Sequence, residues 1–262
     1  MSNSILRLFC LFFVLSAALP ACAQDKTCVN YGVKVLETLP HDRKAYTQGL
    51  FFHGGELFES TGGYGESSLR KLDLSSGKAL VQKNFNRKYF GEGSCIVDGK
   101  LYVLTWTNKL AFVYDAESLE YKYSIGYARE GWGLTALPRK QDNGAVMVAS
   151  DGSSNLYFLD DKLQTVGTLP VKLGNRPVRL LNELEWIDGR IWANVYTTDL
   201  IVIINPKNGQ IEGRIDCSSL IPAAKRSPDM DVLNGIAIDE KGQIYLTGKN
   251  WPSRFRVELY RK

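Results

Sequence analysis

Histidine is almost absent from this chain. Its 262 residues hold two, His41 and His53. His53 adjoins a Gly-Gly turn and His41 precedes the first repeated segment, so neither is placed to activate a serine nucleophile. No Gly-x-Ser-x-Gly elbow occurs either. The five cysteines include no Cys-x-x-Cys pair, which argues against a cysteine-bound zinc. Cys28, Cys95 and Cys217 lie beyond the leader, and an odd count does not describe a disulfide framework. A Cys28–Cys217 bridge stays open, while Cys95 reads as a small buried hydrophobe. The net charge of +4 is spread along the chain, with no basic stripe for nucleic acid or an anionic membrane surface. Gly62-Gly63-Tyr64-Gly65 joins two strand-like segments rather than a strand and a helix, so it reads as a rim loop and not a phosphate cradle.

Long apolar runs are also missing. The longest, Leu8 to Leu19, is too short to span a bilayer, follows the single charge of Arg7 and ends in small residues. Residues 1–21 are therefore expected to be a signal for export. Ala21-Cys22-Ala23 suits signal-peptidase cleavage, whereas Leu19-Pro20-Ala21-Cys22 resembles a lipobox that would make Cys22 the lipidated first residue. The mature protein is expected outside the cytoplasm, as a periplasmic or outer-membrane lipoprotein or a soluble secreted protein.

What is abundant is short β-type segments. Leu57–Ser60, Lys100–Thr105, Ala145–Ser150, Arg190–Val195 and Gln243–Thr247 are rich in β-branched, aromatic and other apolar residues. Each follows a turn dipeptide: Gly54-Gly55, Asp98-Gly99, Asn143-Gly144, Asp188-Gly189 or Lys241-Gly242. Ahead of each turn stands a recurring segment: Gln48-Gly49-Leu50, Glu92-Gly93-Ser94, Trp132-Gly133-Leu134, Asn182-Glu183-Leu184 and Asn234-Gly235-Ile236. The copies are spaced by roughly 40 to 50 residues, the size of a four-stranded propeller blade. Helical periodicity over any length is lacking. The chain is predicted to be all-β, a five-bladed β-propeller over residues 28–262. Its short last repeat is completed by the lone segment Gly32–Leu39 at the outer edge.

The repeat also predicts a site. In a blade the first strand lines the central channel, and the second runs back antiparallel to the same rim. The residues that start the first strands are Gln48, Glu92, Trp132, Asn182 and Asn234. Those that follow the second strands are Gly62, Trp106, Asp151, Tyr196 and Lys249. A frame that repeats while these positions vary points to a small-ligand pocket with aromatic walls, a carboxylate, an ammonium and several amides. Strand alternation turns Glu183 or Glu185 toward it, with Glu183 the candidate. Trp186 and Trp192 read as core.

Six motifs then carry a resemblance: Tyr-Thr-Gln-Gly-Leu (46–50), Phe-Gly-Glu-Gly (90–93), Glu-Gly-Trp-Gly-Leu-Thr (130–135), Leu-Asn-Glu-Leu-Glu-Trp (181–186), Leu-Asn-Gly-Ile-Ala (233–237) and Thr-Gly-Lys-x-Trp-Pro (247–252). Over nearly the whole mature chain they resemble the plant-type and bacterial glutaminyl-peptide cyclotransferases. The resemblance implies a five-bladed propeller that cyclises an N-terminal glutamine to pyroglutamate and releases ammonia, with no catalytic metal or cofactor. It implies Glu92 and Lys249 as catalytic residues. Tyr46, Gln48, Phe90, Trp106, Trp132, Asn182 and Tyr196 are implied to bind the substrate, with Glu183 and Asn234 added from the repeat frame. Tyr46 and Tyr196 depart from the family's usual Phe and Trp, each keeping a ring and adding a hydroxyl. The expected partners are peptides or proteins with N-terminal glutamine, acted on by a monomer. Cleavage after Ala23 would expose Gln24, itself such a terminus.

These residue types suit that chemistry. The α-amine attacks its own γ-carboxamide, so holding the compact conformer is much of the catalysis. A single carboxylate, Glu92, is able to take a proton from the amine and return it to the leaving nitrogen. Lys249 and the side-chain amides are suited to the oxyanion. Two other readings stay open: a calcium-dependent lactonase-like propeller using Glu92, Asn182, Asn234 and Asp151 as oxygen ligands, and a non-catalytic binding platform.

Overall fold

The computed structural model describes residues 28–222 and 225–262; the leader and Cys22 lie outside them. Apart from turns and loops, the described chain is strands. The first blade is β2–β5 (Thr47–His53, Glu56–Thr61, Ser68–Leu72, Ala79–Asn84) and the second β6–β9 (Gly91–Val97, Lys100–Thr105, Leu110–Asp115, Tyr121–Gly126). The third is β10–β13 (Leu134–Ala136, Met147–Ser150, Asn155–Leu159, Thr165–Pro170), followed by a small hairpin, β14–β15 (Lys172–Leu173, Arg176–Pro177). The fourth is β16–β19 (Leu181–Ile187, Arg190–Val195, Leu200–Ile204, Ile211–Asp216). The fifth holds β20–β22 (Leu233–Ile238, Ile244–Gly248, Ser253–Arg261) and is completed by β1, Val29–Pro40.

The ring closes on its inner strands. β2 packs against β6 and β20, β6 against β10, β10 against β16, and β16 against β20. At the outside, β1 runs antiparallel to β22 from Tyr31–Arg261 to Pro40–Ser253, as expected of the lone N-terminal segment. It does more than was expected: Val29–Gly32 also pair parallel with Gly213–Asp216 of β19, so the fourth and fifth blades share one continuous sheet. Closure of this kind leaves few strand edges open.

Each blade is buried on both faces, so apolar residues divide between two neighbours by strand alternation. In β7, Leu101 and Val103 face the first blade, while Tyr102 and Leu104 face the third. The apolar interior is therefore five wedges, one per blade interface. The smallest joins the first and fifth blades through Leu50, Leu57, Leu72, Ala237 and Tyr245. Trp192 is buried and Trp186 packs at the edge of a wedge.

Turn chemistry follows the sequence in part. Gly54-Gly55, Asp98-Gly99 and Asp188-Gly189 carry positive φ at both residues, the conformation of a tight hairpin turn. At Asn143-Gly144 and Lys241-Gly242 only the glycine does, and the turns are wider. Between the third and fourth strands, Asp73, Asp115, Asp160 and Asn205 accept from backbone N–H groups two to four residues on. Cys217 is a free, buried thiol, so the Cys28–Cys217 bridge does not form. Cys95 is buried as expected.

Candidate active site

The repeated first residues lie where the inner strands are irregular. Pairing with the second strand skips a residue or two at Thr47/Gly49, Gly91/Ser94, Leu181/Leu184 and Leu233/Ile236. Gln48, Glu92, Asn182 and Asn234 are thus unpaired residues of β-bulges, the last three together with the residue that follows, a device that re-aims a side chain at one end of a strand. Trp132 sits just before β10 and reaches the same rim.

In four of the five repeats the next residue is glycine, for a steric reason. A Cβ on Gly49 would stand 2.8 Å from Ser94 N, one on Gly93 2.5 Å from Leu134 N, and one on Gly133 2.1 Å from Asn182 O. Glycine here lets inner strands of neighbouring blades touch.

The residues leaving the second strands complete the pocket. Trp106, Tyr196 and Lys249 each follow the last or nearly last residue of β7, β17 and β21. In the first blade this position is Gly62, where a Cβ would fall 2.1 Å from the Phe90 ring. Phe90 fills the space a side chain would have taken. In the third blade, Asp151 turns to the Ser153 N–H, 3.0 Å away. Gly152 follows with φ +75°, and a Cβ there would meet the Trp132 ring at 2.7 Å.

The result is one cavity of about 190 Å³ walled by Tyr46, Phe90, Trp106, Trp132 and Tyr196, with Gln48, Glu92, Asn182 and Lys249 as its polar groups. That is below the range of about 300–1,000 Å³ typical of drug-sized ligands, and suits one side chain. The rings meet edge to face: Phe90 lies 5.6 Å from Trp106 and 5.8 Å from Tyr46, and Trp132 lies 5.6 Å from Tyr196.

Two opposite charges face this space. Glu92 is buried, and burial pushes its carboxyl well above the usual range; Lys249 opposes the shift and Glu130 adds to it. Lys249 is buried too, and burial lowers its ammonium to about 8 against the opposing pull of Glu92 and Asp231. The Lys249 Nζ lies 4.7 Å from the Tyr46 ring centroid and 4.6 Å from that of Tyr196, a cation between two π faces. Among the described residues Glu92 and Lys249 form no direct ion pair, so they influence each other across a gap.

The tyrosine departures belong together. Burial and then Asp231 raise the Tyr46 hydroxyl above its usual range, and burial followed by Asp231 does the same for Tyr196. Each hydroxyl also acts on the other, so the two form a small polar group with Asp231, which acts on the Lys249 ammonium as well.

Besides Asp151, two sequence candidates do not line the cavity. Glu183 occupies the position that is glycine in the other four repeats, and its carboxylate accepts from Ile236 N at 2.9 Å and Leu50 N at 3.3 Å. It ties the fourth blade to the first and fifth. Asn234 donates to Thr47 O at 2.9 Å and to Gln48 Oε1 at 3.2 Å, so it orients Gln48 from behind. Glu130 and Asp231 were not among the candidates. Glu130 stood within the Glu-Gly-Trp-Gly motif, but Asp231 lies in a loop with no counterpart in the repeat. Among the described residues no three His, Cys, Asp or Glu side chains converge to hold a metal ion.

Fold and cavity together define a propeller with a narrow aromatic pocket that pairs a buried carboxylate with a buried ammonium. Residues 8–259 match the family model described as glutamine cyclotransferase. The chain is 39% identical over 233 residues to a glutaminyl-peptide cyclotransferase of Arabidopsis thaliana, covering 87% of this chain and 71% of that one. It superposes on the crystal structure of Myxococcus xanthus glutaminyl cyclase with a TM-score of 0.81 at 36% identity, covering 90% of this chain and 99% of that one. The chain belongs to the glutamine cyclotransferase family.

Proposed function

We infer that this chain is a glutaminyl-peptide cyclotransferase, converting the N-terminal glutamine of a peptide to pyroglutamate with release of ammonia. The observation that carries the reading is the juxtaposition of buried Glu92 and Lys249 in a cavity sized for one side chain, within a chain of this family.

The glutamine side chain enters between Trp106, Trp132 and Tyr196, where flat walls favour the folded conformer that brings amine and carboxamide together. The neutral α-amine adds to the γ-carbonyl carbon, and the carbonyl electrons move onto oxygen. Lys249, with donors from Gln48 or Asn182, meets that oxyanion in a site from which water is largely excluded. Glu92 takes the extra proton from the new C–N nitrogen. When the tetrahedral carbon collapses, its C–N bond to the former carboxamide breaks, and Glu92 returns the proton so that nitrogen leaves as ammonia. The raised carboxyl of Glu92 keeps this proton within easy reach of both nitrogens.

The leader supports an exported protein, anchored by lipid at Cys22 or released, acting on peptides that reach the same compartment as a monomer. Intact mass of the exported protein separates lipidation at Cys22 from cleavage after Ala23. Incubation with a Gln-initiated dipeptide and direct assay of ammonia tests the activity. Release from Gln-initiated but not Asn-initiated peptides is expected, and no release from either would overturn the reading.

A further inference from the structure

Glu130 is exposed at the rim, yet it is held. Its Oε2 accepts from the indole Nε1 of Trp106 at 3.0 Å and of Trp132 at 3.5 Å. These tryptophans come from different blades and form two of the five aromatic walls. One carboxylate oxygen therefore fixes the spacing of two rings across the mouth. Its other oxygen has no partner among the described residues. The neighbouring Arg129 does not neutralise it: its guanidinium lies 3.8 Å over the Tyr157 ring and donates to Thr165 Oγ1 at 2.8 Å.

The pocket floor is closed. Gln48 is backed by Asn234, and behind them Glu183 binds inner-strand N–H groups. A peptide whose first side chain fills the cavity must leave through the mouth, so its second residue passes the Trp106–Glu130–Trp132 bridge. This step rests on the cyclotransferase reading.

We propose that Glu130 is a specificity-determining residue, which positions Trp106 and Trp132 and selects peptides with a cationic residue after the glutamine over those with an acidic one. An exposed carboxylate acts through a well-screened field, so the preference is modest, about five-fold between Lys and Glu at the second residue. It weakens as salt shortens the reach of the charge.

The test compares wild type, Glu130→Gln and Glu130→Ala on Gln-Lys, Gln-Gly and Gln-Glu dipeptide amides, reading kcat/KM and KM at low and high salt. Wild type should rank Lys above Gly above Glu, with the spread narrowing at high salt. Glu130→Gln keeps an acceptor oxygen for both indoles but no charge. It should collapse the spread, lowering Gln-Lys and raising Gln-Glu toward the Gln-Gly value. Glu130→Ala should also raise KM for all three and shift the tryptophan emission, as the indoles lose their shared acceptor. An undiminished spread in Glu130→Gln, or turnover by wild type without charge ordering, would overturn this proposal alone. Inactivity of wild type on all three would overturn the cyclotransferase reading and this inference with it.

Discussion

Glu92 and Lys249 face one cavity without forming an ion pair, and each biases the other's ionisation. A direct salt bridge would satisfy both and leave nothing for a substrate. The gap is what makes the pair chemically available. Replacing Glu92 by Gln keeps its shape and removes its proton traffic. It should lower kcat by about two to four orders of magnitude, the usual worth of a general acid–base, while affinity for a non-cyclising analogue changes little. Steady-state kinetics with an inhibition constant for that analogue separates the two.

Lys249 must be charged to meet an oxyanion. Its ammonium is lowered to about 8, so the charge is present below that pH and lost as pH rises through it. The alkaline limb of the kcat profile should fall there. Lys249→Arg keeps its charge at all accessible pH values and should move that limb upward, even with reduced activity. Lys249→Ala should cost about 10²-fold, typical of removing one oxyanion donor. A limb that does not move in Lys249→Arg would mean that another group titrates.

The seam between the first and fifth blades has the smallest apolar wedge, and a buried polar cluster reinforces it. His41 Nε2 lies 2.8 Å from Glu59 Oε1 and its Nδ1 2.7 Å from Trp251 O, which joins the first blade to the loop before β22. Thr47 Oγ1 donates to the same Glu59 oxygen at 2.8 Å. Burial opposes the charge on Glu59, but His41, Arg70 and Thr47 together outweigh it and hold the carboxyl below the usual range. Its contribution is therefore complete above the unfolded glutamate value and lost as pH falls through the lower folded one. Glu59→Ala should destabilise by about 3–5 kcal/mol, the cost of leaving a buried partner unpaired. Urea denaturation at neutral and acidic pH checks both statements.

Glu185 has the opposite sign. Burial raises its carboxyl to about 8, against smaller lowering contributions from Thr135 and backbone N–H groups. From the ordinary glutamate range up to about 8 the unfolded chain has lost this proton and the folded protein keeps it. Stability should therefore decline with rising pH across that window. Glu185→Gln should flatten the decline, as read from the melting temperature between pH 5 and 8.

Gly152 lets Trp132 form its wall. Gly152→Ala places a methyl on a residue at φ +75° and 2.7 Å from that ring. It should cost about 1–3 kcal/mol of stability and raise KM more than it lowers kcat.

Nine residues named from sequence meet in one cavity. For Gln48, Glu92, Trp106, Trp132, Asn182, Tyr196 and Lys249 the blade repeat fixes where each inner strand starts and each second strand ends, whereas Tyr46 and Phe90 come only with the family resemblance. Glu183 and Asn234 share the frame but not the wall. A carboxylate in a glycine slot is drawn to inner-strand N–H groups, and Asn234 finds the Thr47 carbonyl and Gln48. Strand alternation, which ignores such local partners, cannot foresee either. Asp231 and the β14–β15 hairpin lie in connections outside the repeat. The parallel pairing of β1 with β19 depends on how two blades splay, a property of the closed ring rather than of any segment.

The most direct measurement is the N-terminal product itself. Wild type and Glu92→Gln would be incubated side by side with a Gln-initiated peptide, with pyroglutamyl product followed by mass spectrometry and ammonia measured in parallel. Wild type should yield the two products in equal amounts, and Glu92→Gln should yield both at least about 10²-fold more slowly while still binding substrate. Near-normal turnover by Glu92→Gln would contradict the role given to this carboxylate.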